Sequence, residues 1–157
     1  MSEASGVENT SPFDELTDQQ REQFEEFKKD VKSWDEYNDD AIVEYCTDLT
    51  LFRFLSGLLW DSEKAANQLR RTLQWRREFR PQDVHLNELK MVAESGWMFH
   101  QGHDKEGRPL LYIIVHRDKT GSQQALDIKF KHIVHTLEHC YRDIGREYLP
   151  SYVGCGL

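Results

Sequence analysis

A chain of 157 residues with 38% apolar content is the size of one ordinary domain, or part of one, with enough apolar material for a modest core. Its formal net charge of -8 is lopsided: residues 1–48 hold 15 Asp/Glu against 4 Lys/Arg, while residues 49–157 hold 13 against 16. That acidic front excludes nucleic acid as a partner, since such binding rests on clustered positive charge.

No run approaches the roughly 20 apolar residues of a membrane span, and the N-terminus lacks a secretory pattern, so the chain is expected to be soluble and cytoplasmic. Cys46, Cys140 and Cys155 contain no CxxC pair and are expected to be free thiols. Residues 1–16 are polar and without period, which predicts a disordered tail. Thr17 and Gln20 then form a capping box, and Phe24, Phe27, Val31 and Trp34 recur at helical spacing, predicting a first helix over about 18–36. Asn38-Asp39-Asp40 breaks it and caps a short helix from Ala41 to Cys46. Asp48 is placed to cap a third, densely apolar helix carrying Leu51, Phe52, Phe54, Leu55 and Leu58. Asp61 or Ser62 opens a fourth with Ala65, Ala66, Leu69, Leu73 and Phe79 inside and Pro81 as its stop, and a short helix from about Asn87 to Ser95 ends at Gly96.

Residues 17–96 therefore read as a helical subdomain, after which the period changes. Trp97 to His100 and Leu110 to His116 are predicted strands, joined by the turn-forming Asp104-Lys105-Glu106-Gly107. Leu110 to Val115 is continuously apolar, the pattern of a strand covered on both faces. A helical period returns from about Ala125 to Tyr148, with Phe130, Ile133, Val134, Leu137, Tyr141 and Ile144 as the inner stripe. The fold class is α+β and mainly helical: a helical bundle, a β-hairpin and a long helix. A two-stranded hairpin is marginal alone, so residues 97–157 are expected to be an incomplete domain whose sheet edge is open to a partner chain.

Two motifs in order resemble a known family. Asp48-Leu-Thr-Leu-Phe-Arg53-Phe54-Leu55, followed by Lys64-Ala65, Leu69, Leu73 and Trp75-Arg76, is similar to the helical leading segment of CRAL-TRIO proteins. Asp104-Lys-Glu-Gly107-Arg108-Pro109-Leu-Leu-Tyr112 is similar to the family's hairpin. The resemblance covers roughly residues 40–145 and implies an α/β lipid cage after a helical subdomain. It also implies a lipid ligand taken from one membrane and presented at another, hence a peripheral membrane surface as partner, and no cofactor. One departure is Ser56-Gly57-Leu58-Leu59, which stands where phosphoinositide-exchanging members carry a basic stretch. Leu58 there replaces a cation able to meet a headgroup phosphate.

Tyr112 and Ile114 share one side of the second strand and, with Phe99, are the candidate lipid-contact residues. Arg53, Trp75, Asp104, Gly107, Arg108 and Pro109 are expected to serve structurally, Arg53 by pairing with a carboxylate. The basic run Arg70-Arg71 and Trp75-Arg76-Arg77 reads as a solvated helix face, and Leu58-Leu59-Trp60 as packing of a helix end rather than a membrane-probing tip. His132, His135 and His139 have ligand-like spacing but fall opposite the apolar stripe, so a wet surface is expected and no metal site. No spacing suggests a nucleophile with a paired base, so no enzyme is expected.

Overall fold

The computed structural model describes residues 11–105, 107–118 and 121–147, the last five as backbone only. It is mainly helical, with a single two-stranded sheet among the described residues. Helix α1 (Asp18–Lys32) starts on the expected box: the Gln20 amide donates to Thr17 Oγ1 at 3.2 Å and the Thr17 amide donates to Gln20 Oε1 at 3.0 Å. It ends four residues earlier than the periodicity predicts. Ser33 turns the chain by donating its hydroxyl to the Asp30 carbonyl at 2.6 Å. Trp34 is then extended yet buried, its indole N–H donating to Asp30 at 3.2 Å, so the apolar spacing continued past the helix that seemed to carry it.

Helix α2 (Asp40–Tyr45) is capped by Asp39, and α3 (Asp48–Gly57) by Thr47 rather than Asp48, the Thr50 amide donating to Thr47 Oγ1 at 3.2 Å. Leu59 and Trp60 then take left-handed conformations that reverse the chain into α4 (Ser62–Phe79), capped by Asp61. Arg80, also left-handed, closes α4 just ahead of Pro81. Phe24, Phe27, Val31, Ile42, Leu51, Leu55, Leu69 and Leu73 form the main core from all four helices. Part of the expected tail joins it. Phe13 lies 5.5 Å from the Phe24 ring and 5.2 Å from that of Phe52, and Leu16 packs alongside; burying an aromatic offsets the entropy that the polar composition alone could not. Residues 1–10 of that tail lie outside the described residues.

Helix α5 (Leu86–Ala93) leads through Gly96 into β1 (Met98–His103), which pairs antiparallel with β2 (Pro109–Ile113). Register is Met98 with Ile113, Phe99 with Tyr112 and His100 with Leu111, followed by a bulge before His103 meets Pro109. The second strand stops short of the expected His116, because residues Val115–Arg117 wind into a 3-10 turn.

Helix α6 (Gln123–Glu147) departs most from expectation. Phe130 and Leu137, expected inside, are nearly half exposed, whereas His132, Val134, Thr136 and Cys140 are buried. Two opposite flanks of α6 are covered. Ile128, His132 and Ile133 meet a second small core of Val92, Trp97 and Met98, and Glu138 and Tyr141 meet the helical bundle. A stripe ranked by hydrophobicity cannot foresee this rotation, because a charged pair helps to fix it. Thr136 tolerates burial by donating its hydroxyl to the His132 carbonyl at 2.8 Å. Ile144 and Tyr148, also named for this helix, lie outside the described side chains.

Candidate functional site

The hairpin brings two of the three lipid-contact candidates together. Phe99 and Tyr112 are directly paired, and their rings stack at 5.2 Å, 13° from parallel. Met98, one residue away, points into the core with Ile128 and Ile133, so α6 covers the Met98 face and the Phe99/Tyr112 stack stands on the opposite one. Tyr112 is 44% exposed there. Ile114 lies just beyond β2, partly buried, its amide donating to the Trp97 carbonyl at 2.6 Å. The apolar run Leu110–Val115, expected to be left partly uncovered in an incomplete domain, is open along nearly its whole length among the described residues: Leu110, Leu111, Tyr112, Ile113 and Val115 are all exposed. The described helices that lie nearby bury only the start of the hairpin, at Trp97 and Met98.

The turn residues do what turn chemistry requires. Asp104 accepts from the Arg108 amide at 2.9 Å and from its guanidinium at 2.5 Å, Gly107 adopts a positive φ of 77°, and Pro109 opens β2 where no ladder donor is lost. Trp75 stacks on Phe79 at 5.1 Å, and Phe79 meets Phe130 edge-on at 5.4 Å, an aromatic row from α4 to α6.

Arg53 is not the buried arginine of this fold. It is exposed, with its guanidinium 5.3 Å from the Tyr141 ring, and so packs on an aromatic where a carboxylate was expected. The buried arginine is Arg76, 9% exposed, which was read as part of a solvated basic face. It donates two hydrogen bonds to Glu138, at 2.7 and 2.9 Å, and lies 3.9 Å from the Tyr45 ring. Burial pulls against its charge, but the hydrogen bond and charge of Glu138 prevail, and its pKa is raised. Around it, burial pushes the Tyr45 hydroxyl up to about 12 and the Cys46 thiol up to about 11. Tyr141 completes the cluster by hydrogen bonding Thr50. A signal for this site was present: Arg76 continues the Ala65, Leu69, Leu73 spacing, which places a charge on the inner stripe of α4.

The His132, His135 and His139 expectation also needs correction. His132 is buried, 6.0 Å from the Trp97 ring, and burial holds its pKa below the ordinary value. His135 is partly buried and likewise depressed, by burial first and then by His139, His132 and Arg142, while only His139 stands on a wet surface. His135 and His139 line a small open pocket of about 40 Å³ with Pro81, Gln82, Val84, Glu138 and Arg142. At the end of α3, Leu58 and Trp60 pack on the core as expected, but Leu59 between them is 90% exposed.

No helix among the described residues is long and apolar enough to cross a membrane. Compared with known proteins, the chain is 30% identical over 88 residues to a CRAL-TRIO domain-containing protein of Schizosaccharomyces pombe, a match covering 56% of the chain and 8% of that relative. It is 46% identical over 71 residues to Protein real-time of Aedes aegypti, covering 41% of the chain and 10% of that relative. The chain thus spans a small part of the length of the relatives it matches. No family profile and no solved structure matches it.

Proposed function

We propose that this chain supplies the helical subdomain and first hairpin of a CRAL-TRIO-type unit that binds a hydrophobic lipid and carries it between membranes without chemical change. The observation that carries this reading is the stacked Phe99/Tyr112 pair on the sheet face away from α6, beside a second strand whose side chains are exposed. An apolar aromatic face of this kind is what an acyl chain or isoprenoid tail seeks out of water. Similarity to a protein named for a CRAL-TRIO domain supports the same ligand class. The ligand is drawn as a hydrophobic or phosphorylated lipid, with phosphoinositides the weaker candidate because Leu58 packs into the core where a basic residue would reach a headgroup. The exposed Leu59 is the side chain best placed to touch a cytoplasmic membrane surface.

The test is native mass spectrometry of the chain purified from cells without detergent. A lipid-mass adduct that disappears in Tyr112→Asp, with unchanged helical circular dichroism, is the expected result; a bare chain from every expression host overturns the reading. A second reading, a protein-interaction module, is favoured by the same exposed run if an incoming strand pairs with the free edge of β2. Light scattering separates the two, since edge pairing between copies yields dimers and lipid binding leaves a monomer.

A further inference from the structure

We propose that His135 and His139 form a binding site for a divalent transition-metal ion on α6, independent of the lipid-binding reading. The two imidazoles lie one helical turn apart with ring centroids 4.6 Å from each other, and both open onto the pocket bounded by Pro81, Gln82 and Val84. Paired histidines at this spacing on one helix face can both reach a single ion.

The local sequence His135-Thr136-Leu137-Glu138-His139 matches the H-x-x-E-H pattern of inverted zinc peptidases. The geometry separates metal binding from that chemistry. In such a peptidase the glutamate is a free general base, whereas here both carboxylate oxygens of Glu138 accept from Arg76. Glu138 therefore contributes negative charge beside the pocket but no proton acceptor. Among the described residues no group of three or more side chains could hold an ion, so the site is a two-point chelate completed by water. Arg142 on the same pocket wall opposes a cation and keeps the affinity modest. Two imidazoles favour Cu²⁺, Ni²⁺ and Zn²⁺, and give no hold on Mg²⁺ or Ca²⁺, which need oxygen ligands.

The test titrates the purified chain in a Cys155→Ser background, which removes a competing thiol, with ZnCl₂, NiCl₂ or MgCl₂ in chelator-free buffer. Calorimetry and melting temperature are the readouts, because an ion bound only by the folded chain raises its melting temperature. Saturable binding of one Zn²⁺ or Ni²⁺ per chain is expected, at least tenfold weaker in His139→Ala, unchanged in His103→Ala and absent with Mg²⁺. His139 is on the surface, so its variant should retain the parent circular dichroism. Equal binding by the parent and His139→Ala overturns the proposal, as does loss in the His103 variant instead. A melting shift with inorganic phosphate but none with Zn²⁺ also overturns it and assigns the pocket to an anion.

Discussion

Arg76 and Glu138 join α4 to α6 through two parallel hydrogen bonds between residues 62 positions apart, with both side chains largely out of water. A buried pair of this kind contributes little net stability, because desolvation offsets most of the attraction, but removing one partner strands the other.

Glu138→Leu should therefore destabilise the fold by about 3–5 kcal/mol, while the double variant Arg76→Met/Glu138→Leu should recover most of that loss. Urea unfolding of the parent, both single variants and the double variant gives the coupling. A double variant as unstable as Glu138→Leu would show that the pair does not couple the helices.

Acid should loosen the other flank of α6. His132 is held below its ordinary 6.5 by burial in the fold, so between the folded and unfolded values the unfolded chain takes up the proton and the folded chain does not. Its stabilising effect is full above about pH 6.5 and is lost as the pH falls toward the folded value. His135 adds in the same direction. The urea midpoint should fall from pH 7.5 to 5.5, and the slope should be shallower in His132→Gln.

Cys46 is buried, and its thiol is pushed up to about 11, so almost no thiolate is present at pH 8. Iodoacetamide should leave Cys46 unmodified in the folded chain and label it rapidly in urea, as read by peptide mass mapping. Fast labelling under native conditions would mean that the core opens around α2.

Gly96 turns the chain from α5 into β1 with φ of 63°, and a Cβ there would meet the end of the Arg117 side chain at 3.0 Å. That flexible terminus can shift, so the backbone conformation sets the cost of Gly96→Ala, about 1 kcal/mol. Thermal melting measures it, and an unchanged melting temperature would remove the need for glycine at this junction.

Local rules served well wherever the deciding partner lay within a few residues. The Thr17/Gln20 box, the Asp61 cap and the Asp104/Gly107 turn are all chemistry of this range, and all three form. Thr47 displaced Asp48 as a cap because both side chains can accept and only the chain path chooses between them. The rotation of α6 was not legible, since it depends on a guanidinium in a different helix. Phe130 and Leu137 gave way to His132 and Thr136, whose polar atoms look unfit for burial until the Thr136 hydroxyl is seen bonded within its own helix. Alternation put Tyr112 and Ile114 on one side but could not pair Phe99 with Tyr112, because that register runs through the irregularity between His100 and His103, and the buried Arg76 needed its charge to be weighed against the spacing of Leu69 and Leu73.

Because α6 is gripped by an ion pair on one side and by Val92, Trp97 and Met98 on the other, its two attachments answer to different solvents. Sulfate, excluded from apolar surface, tightens the greasy side, whereas the ionic one is held by charge and two hydrogen bonds. The long helix behaves like a hinge pin seated in two unlike bearings, either of which can be slackened while the other still holds.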